Sequence, residues 1–173
     1  MLDLFAGLGG ASSAMIGRGW SVVTVDNDSR FGCTHTADLT AWSWPGATPD
    51  LIWASPPCTE FSRESMPWCR TGTIPSLVLV SAAMRIIAEC QPRWWVIENV
   101  RGAVKWLKPI LGEPKQTHGP FFLWGSFPEF RCRVKPFKER LSSTQRAERA
   151  KIPLVLSNAL ADVIENNLLS GVS

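Results

Sequence analysis

Apolar and polar positions fall into alternating blocks along the first hundred residues, and the blocks read as strand, helix, strand. Residues 1–5 (MLDLF) form a short apolar run that gives way to Gly7, Gly9 and Gly10, the pattern of a buried strand followed by a turn. Residues 11–17 predict a helix that Gly17 and Gly19 end. A second apolar, β-branched run covers residues 20–25 and stops at Asp26. Residues 33–37 predict a short third strand, residues 50–54 (DLIWA) a fourth, and residues 94–97 (WWVI) a fifth that ends at Glu98. Between the last two, residues 77–90 carry helical periodicity and stop before Pro92, a helix breaker. Such alternation predicts an α/β protein, a mostly parallel sheet wrapped by helices. The last third is less regular. Residues 121–124 predict a strand, residues 128–138 an irregular or β segment, and residues 154–169 a helix starting after Pro153.

Length and composition narrow the class. A chain of 173 residues suits one domain with one core. Hydrophobic residues make up 45% and charged residues 19%, the balance of a folded chain rather than a disordered one. No apolar run is long enough to span a bilayer, so no membrane partner is expected. The opening MLDLFAGLGG lacks the basic start and the cleavage site of a signal peptide, and no leader is expected. Five cysteines without Cys-x-x-Cys spacing argue against a disulfide framework or a zinc site, and a reducing cytoplasm is the expected setting. Two distant histidines, His35 and His118, add no sign of a metal. The net charge is +3, yet residues 129–151 hold eight basic side chains against Glu129, Glu139 and Glu148, so this segment is +5 and the rest of the chain −2. A polyanion near this segment and a solvated basic face fit that asymmetry equally well.

The strand ends carry the chemistry. In open parallel α/β sheets, ligands bind beyond the carboxyl ends of the strands. The first strand runs into Phe5-Ala6-Gly7-Leu8-Gly9-Gly10, the second ends at Asp26, the third at Asp38, the fourth at Pro56-Pro57-Cys58 and the fifth at Glu98-Asn99. Glycines after a first strand let the backbone approach a ligand and present amides at a helix start. Asp26 follows Asp3 by 23 residues, where a carboxylate accepts hydrogen bonds from ribose hydroxyls. The glycines do not form a clean G-x-G-x-x-G fingerprint, which weakens the case for a nicotinamide cofactor.

Two prolines stiffen the approach to Cys58 in SPPCTEFS. A cysteine at a strand end gains thiolate character and nucleophilicity more readily than a core cysteine, the reading given to Cys33, Cys69, Cys90 and Cys132. Glu98 follows an apolar strand, and a carboxyl at the edge of an apolar site can hold its proton to higher pH. As an isolated feature it also fits a helix cap.

Together DLFAGLGG, SPPCTEFS and ENV, in this order, resemble the cytosine-C5 DNA methyltransferases. The resemblance covers residues 1–107 and resumes over 149–164, where Ser157-Asn158-Ala159-Leu160 is similar to the family's final Gly-Asn-Ala-Val segment. It implies a Rossmann-like S-adenosylmethionine-dependent methyltransferase fold. It also implies a single catalytic domain over 1–173. Residues 1–107 would form the core, 108–148 a reduced recognition region, and 149–173 a C-terminal helix completing the cofactor site. By this resemblance Asp3, Phe5, Ala6, Gly7, Leu8 and Gly10 belong to the cofactor loop, with Phe5 against adenine. Asp26 and Asn27 would serve the ribose, Asp38 and Leu39 the adenine, and Pro57 and Asn158 would complete the cofactor site. Cys58 would be the nucleophile, with Glu98 at the cytosine ring nitrogen N3 and Asn99 beside it. Ser62, Arg63, Arg131 and Arg133 are candidates for contact with double-stranded DNA whose target cytosine is flipped out. The cofactor implied is S-adenosyl-L-methionine, with no metal.

The resemblance has limits. Family members carry a longer recognition region, and their Gln-x-Arg-x-Arg motif is not visible around residues 116–121. Arg131-Cys132-Arg133 keeps the spacing, one strand later, and Ser157 replaces a glycine. Leu123-Trp124-Gly125 and residues 149–153 resemble short phage-encoded relatives, which implies a compact viral or prophage enzyme. Trp124, Phe121 and Phe122 are candidates for stacking on an unpaired base, and Trp42, Trp44 and Trp68 for surface contacts. Trp53, Trp94 and Trp95 read as core. The same chemistry on RNA or a free cytosine nucleotide, and a non-catalytic DNA-binding module, remain alternatives.

Overall fold

A computed structural model describes residues 1–134 and 150–171. Its centre is a seven-stranded sheet in the order β3-β2-β1-β4-β5-β7-β6. The strands are β1 (Leu2–Leu4), β2 (Val23–Asp26), β3 (His35–Thr36), β4 (Leu51–Ala54), β5 (Trp94–Asn99), β6 (Gln116–His118) and β7 (Phe121–Ser126). The first five run parallel, whereas β7 lies antiparallel to β5 and β6 antiparallel to β7. Helices α1 (Ser13–Gly17), α2 (Thr59–Ser65), α3 (Val78–Cys90), α4 (Val104–Leu111) and α5 (Leu154–Leu169) flank the sheet. This is a Rossmann-like α/β architecture. The chain reverses its strand order between β1 and β4, where such sheets open a crevice.

Side chains alternate across the strands with period two, which builds two cores from one sheet. Leu51 and Trp53 of β4, Trp94 and Val96 of β5, and Phe121 and Leu123 of β7 join one core with Met15 of α1 and Leu156, Leu160 and Ile164 of α5. Ile52 and Ala54, Ile97 and Trp124 join the other with Leu2, Leu4 and the α3 residues Val80, Ala83 and Ile86. Burial on both faces explains why these strands read as continuous apolar runs. The buried positions of α5, Leu156, Leu160, Ala161 and Ile164, follow helical spacing.

Several expectations are corrected. The second strand starts at Val23, not residue 20, because the Trp20 amide still donates to the Met15 carbonyl at 3.0 Å and the Trp20 indole to Glu165 at 2.9 Å. The third strand is only His35–Thr36, and Asp38 lies two residues beyond it. Helix α1 starts at Ser13, and β5 continues through Asn99 because β7 pairs with Glu98 and Asn99. Residues 127–134 form no strand, and the rest of the expected β segment, 135–138, lies outside the described residues. Phe121 and Trp124 are buried core residues, which removes them as stacking platforms. Trp42 and Trp44 pack with His35, at ring separations of 5.8 and 6.5 Å, while Trp68 is 82% exposed. Among the described residues no helix is long and apolar enough to cross a membrane.

Candidate active site

The turn after β1 sets the shape of the site. Phe5 takes a left-handed conformation (φ 58°), and the chain then turns through Gly7 and Gly9, both also at positive φ. The Gly7 amide donates to Asp26 Oδ2 at 2.9 Å, and the Asp28 amide to Asp26 Oδ1 at 3.0 Å. Both oxygens of the carboxylate at the end of β2 are thereby oriented. Gly10 lies against the 150–152 segment: a Cβ there would stand 2.6 Å from both the nitrogen and the oxygen of Ile152. No larger residue fits without pushing that segment away.

A cavity of about 390 Å³ opens beside this turn, over the switch point between β1 and β4. Its lining includes Asp3, Phe5, Ala6, Gly7, Leu8, Gly10, Asp26, Asn27, Asp38, Leu39, Pro57 and Cys58, so the fold collects these residues from the ends of β1, β2 and β4 and the loop after β3. Among the described residues, the carboxyl groups of Asp3, Asp26, Asp28 and Asp38 line it with Lys151, and Asp28 is paired with Arg30. Phe31, Leu79 and Ile152 add apolar walls. Asp38 is held below the usual carboxylate range by the Thr40 amide and hydroxyl, at 2.9 and 2.8 Å. Asp3 is 1% exposed, and burial pushes its pKa up to about 7 despite the hydroxyl of Ser12 at 2.7 Å.

Cys58 caps helix α2 at its start, and its carbonyl accepts from the Ser62 amide at 2.9 Å. Glu98 is 7% exposed and is not among the residues that line the cavity. Burial raises its pKa to about 7, opposed by a hydrogen bond with the Ser55 hydroxyl. Ser55 lines the cavity and accepts from the Trp53 indole at 2.7 Å, so it links Glu98 to the cavity wall. The register of β4 against β5 sets Ala54 beside Ile97, which brings the following residues, Ser55 and Glu98, side by side. One position further, Asn99 Nδ2 donates to the Pro56 carbonyl at 2.9 Å and its Oδ1 accepts from the Val100 amide at 2.9 Å.

Other candidates stand apart from the cavity. Asn158 Oδ1 accepts from Arg18 at 3.3 Å, and Asn158 is absent from the lining. Its neighbour Ser157 instead makes the contact with the segment between the glycine turn and α1. The Ser157 hydroxyl donates to the Ala11 carbonyl at 2.6 Å and accepts from the Ala14 amide at 3.1 Å. Ser62 and Arg63 lie on α2. Arg131 and Arg133 are exposed on the irregular segment that follows β7. Ser55, Ser157, Asp28 and Leu79 were not singled out in sequence. The one signal for Ser157 was that it replaces the glycine of the resembled segment. Among the described residues no group of three or more His, Cys, Asp and Glu side chains is placed to hold a metal.

The sheet order is that of a Rossmann-like α/β protein with an acidic crevice at the switch point between β1 and β4. Residues 1–108 match the family model described as C-5 cytosine-specific DNA methylase, and the chain belongs to that family. It is 37% identical over 116 residues to the "Probable DNA (cytosine-5)-methyltransferase" of Frog virus 3 (isolate Goorha), covering 57% of this chain and 52% of the viral one. It is 28% identical over 117 residues to the type II methyltransferase M.HgiGI of Herpetosiphon aurantiacus, covering 59% of this chain and 90% of that one. The chain thus matches about half the length of the viral relative. A crystal structure from E. coli described as a "DNA modification methyltransferase encoded within prophage" aligns with a TM-score of 0.48 at 19% identity, over 72% of this chain and 45% of that one.

Proposed function

We propose that this protein transfers a methyl group from S-adenosyl-L-methionine to carbon 5 of cytosine in DNA, with Cys58 as the nucleophile. The observation that carries the reading is that Cys58 shares one cavity with the glycine turn, Asp26 and Asp38. Family membership and the names of the two relatives point the same way.

The cavity residues fit that cofactor. Asp26 presents an oriented carboxylate to ribose hydroxyls, Asp38 presents one to an exocyclic amine, and Phe5, Leu39 and Leu79 supply apolar walls. Asp28 is paired with Arg30, but the carboxylates of Asp26 and Asp38, set against Lys151 among the described lining residues, favour a cationic ligand. When bound, the cofactor supplies an electrophilic methyl group on a sulfonium.

The chain supplies the rest. Carbon 5 of cytosine is a weak nucleophile until the ring is activated. The Cys58 thiolate adds to carbon 6, and electron density moves toward carbon 5 and N3. Glu98, whose raised pKa lets it hold a proton near neutrality, donates to N3 and stabilises the charge pushed into the ring. After methyl transfer, a solvent water takes the carbon 5 proton, the C5–H electron pair re-forms the C5–C6 double bond and the C6–S bond breaks, which releases the Cys58 thiolate and restores aromaticity. Ser55 and Asn99 act as positioning residues, the first for Glu98 and the second for the turn bearing Cys58. A duplex cytosine must leave the stack to reach Cys58, at a cost of about a few kcal/mol.

On this reading residues 1–107 are the catalytic core, 108–148 a reduced recognition region and 149–173 the closing helix of one domain. The setting is the cytoplasm of a bacterial host, in viral or prophage modification of DNA. The test is incubation with methyl-labelled cofactor and DNA, RNA or dCMP in parallel. Label in DNA as 5-methylcytosine is the expected result; label in RNA or dCMP alone overturns the choice of substrate.

A further inference from the structure

A one-turn segment, residues 38–42, delivers Asp38 and Leu39 to the cavity. The amides of Ala41 and Trp42 both donate to the Asp38 carbonyl at 3.1 Å. Asp38 closes the start of the turn with its own side chain, whose Oδ1 accepts from the Thr40 amide at 2.9 Å and the Thr40 hydroxyl at 2.8 Å. Both bonds fall on Oδ1, and Oδ2 is the oxygen left for a ligand in the cavity that Asp38 lines. Leu39 is 2% exposed and shares its core with Val80 and Ala83 of α3, so the turn is anchored on its apolar side. The carbonyls at the end of such a turn find no partner within the turn itself.

Arg85 supplies those partners from outside the cavity. It stands on α3, the helix whose Leu79 lines the same cavity. Its Nη2 donates to the Leu39 carbonyl at 3.0 Å and the Trp42 carbonyl at 2.6 Å, and its Nη1 donates to Ser43 Oγ at 2.9 Å and Glu89 Oε1 at 2.6 Å. All four terminal N–H donors therefore have an acceptor, and three of the acceptors lie within residues 39–43. Glu89, one helical turn further along α3, fixes the guanidinium from its own helix. The Trp42 ring is held in turn, 5.8 Å from His35 of β3 and 6.2 Å from Trp44. The end of the turn is thus fixed through its backbone by α3 and through its side chain by β3. Loss of Arg85 releases the backbone half of that grip and leaves Leu39 in its core.

We propose that Arg85 is the positioning residue for the base end of the cofactor site. It locks the 38–42 turn so that Asp38 meets an exocyclic amine in one fixed geometry, and that lock sets the preference for a base bearing an amine over one bearing a carbonyl. The proposal rests on the reading of the cavity as the S-adenosyl-L-methionine site. The physical reason is that a carboxylate accepts from an amine and repels a carbonyl oxygen, but only a carboxylate that cannot swing aside enforces the difference.

The test is calorimetry with the full chain, comparing S-adenosyl-L-homocysteine with S-inosyl-L-homocysteine, whose bases differ by an amine against a carbonyl. The parent should prefer the adenosyl compound by about a hundredfold. Arg85→Ala should cut that preference to about tenfold, because the adenosyl compound loses affinity and the inosyl compound loses little. Arg85→Lys has three donors on one nitrogen instead of a planar fork, and its preference should fall between the two. With saturating S-adenosyl-L-methionine, Arg85→Ala should keep most of the parental kcat while KM for the cofactor rises. Hydrogen exchange in Arg85→Ala should quicken at the amides of 39–43 and stay parental in β4 and β5. A parental preference in Arg85→Ala, whatever its stability, would overturn the proposal and leave the cofactor site standing. If Arg85→Ala does not fold, a parental preference in Arg85→Lys does the same. A parent that binds the adenosyl compound without preferring it would overturn the discrimination assigned to the turn. A parent that binds neither compound would sink the cofactor reading together with the lock.

Discussion

Asn99 Nδ2 donates a 2.9 Å hydrogen bond to the carbonyl of Pro56, tying the end of β5 to the turn that carries Cys58. Asn99 is 1% exposed, so no water replaces the bond when it is lost. Asn99→Asp sets a carboxylate against that carbonyl and releases the turn. Displacement of a reacting group by about 1 Å costs about a hundredfold in rate. The variant should lose kcat on that scale while cofactor affinity, measured by calorimetry, stays near the parental value. Equal losses in both would mean that Asn99 supports the whole site rather than the cysteine turn.

Ser157 ties α5 to the start of α1, next to the glycine turn. Its hydroxyl satisfies the Ala11 carbonyl and the Ala14 amide inside the protein. Ser157→Ala leaves both groups without that partner, at a cost of about 1–3 kcal/mol for a buried unsatisfied group. Urea unfolding should show a lower midpoint with an unchanged m-value, and KM for the cofactor should rise. Arg18 and Asn158 lie on the exposed side of the same helix contact, and Asn158→Ala should change cofactor affinity less than Ser157→Ala does.

Glu98 links activity to pH. Burial raises its pKa to about 7, and on the proposed mechanism the protonated form is the one that would donate to cytosine N3. Activity should therefore fall as pH rises through about 7 on this limb. Glu98→Gln has no proton to lose, so its pH profile should lack that limb, with kcat reduced about 10²–10⁴-fold. A limb that survives unchanged in Glu98→Gln would assign it to another group.

On the proposed function Asp3 should likewise link cofactor affinity to pH. Its carboxyl sits at about 7, raised chiefly by burial from 3.8, with the negative charge of Asp26 adding to the effect. The folded protein thus holds a proton that the unfolded chain releases. The stability tied to this proton is fully present below 3.8 and is lost as pH rises through about 7. A cation in the cavity favours the ionised form. Binding should release protons near pH 6, and affinity should strengthen as pH rises from about 5 to about 7. Calorimetry in buffers of different ionisation enthalpy reads the proton count, and Asp3→Asn should abolish most of it.

Where burial follows a simple period, the chain could be read directly. Residues 51–54 and 94–97 are apolar because both sheet faces are covered, and 154–169 shows the spacing of a helix with one buried face. The cavity residues were legible because parallel strands deliver their ends to one edge, so Asp26, the loop before Cys58 and the glycine turn converge wherever the strands pair. Elements held by polar contacts were not. Helix α2 (TEFSRES) buries Phe61 and Glu64, and a buried glutamate carries no hydrophobic signal. Strand β6 (QTH) has no apolar residue and is defined by pairing with β7. Ser157 and Ser55 act through hydroxyls whose partners lie far along the chain or across the sheet, which no local pattern encodes. Phe121 and Trp124 misled in the opposite direction, since aromatic side chains suit base stacking and sheet cores alike.

The central claim is a bond between the Cys58 sulfur and carbon 6 of cytosine. A duplex with 5-fluorocytosine at the target position tests it, because fluorine at carbon 5 cannot leave as a proton and the adduct persists. With S-adenosyl-L-methionine present, the parent should form a denaturation-resistant protein–DNA complex whose peptide map places the link on Cys58, and Cys58→Ala should form none while still binding cofactor. A link at another residue, or methyl transfer undiminished in Cys58→Ala, would contradict the account.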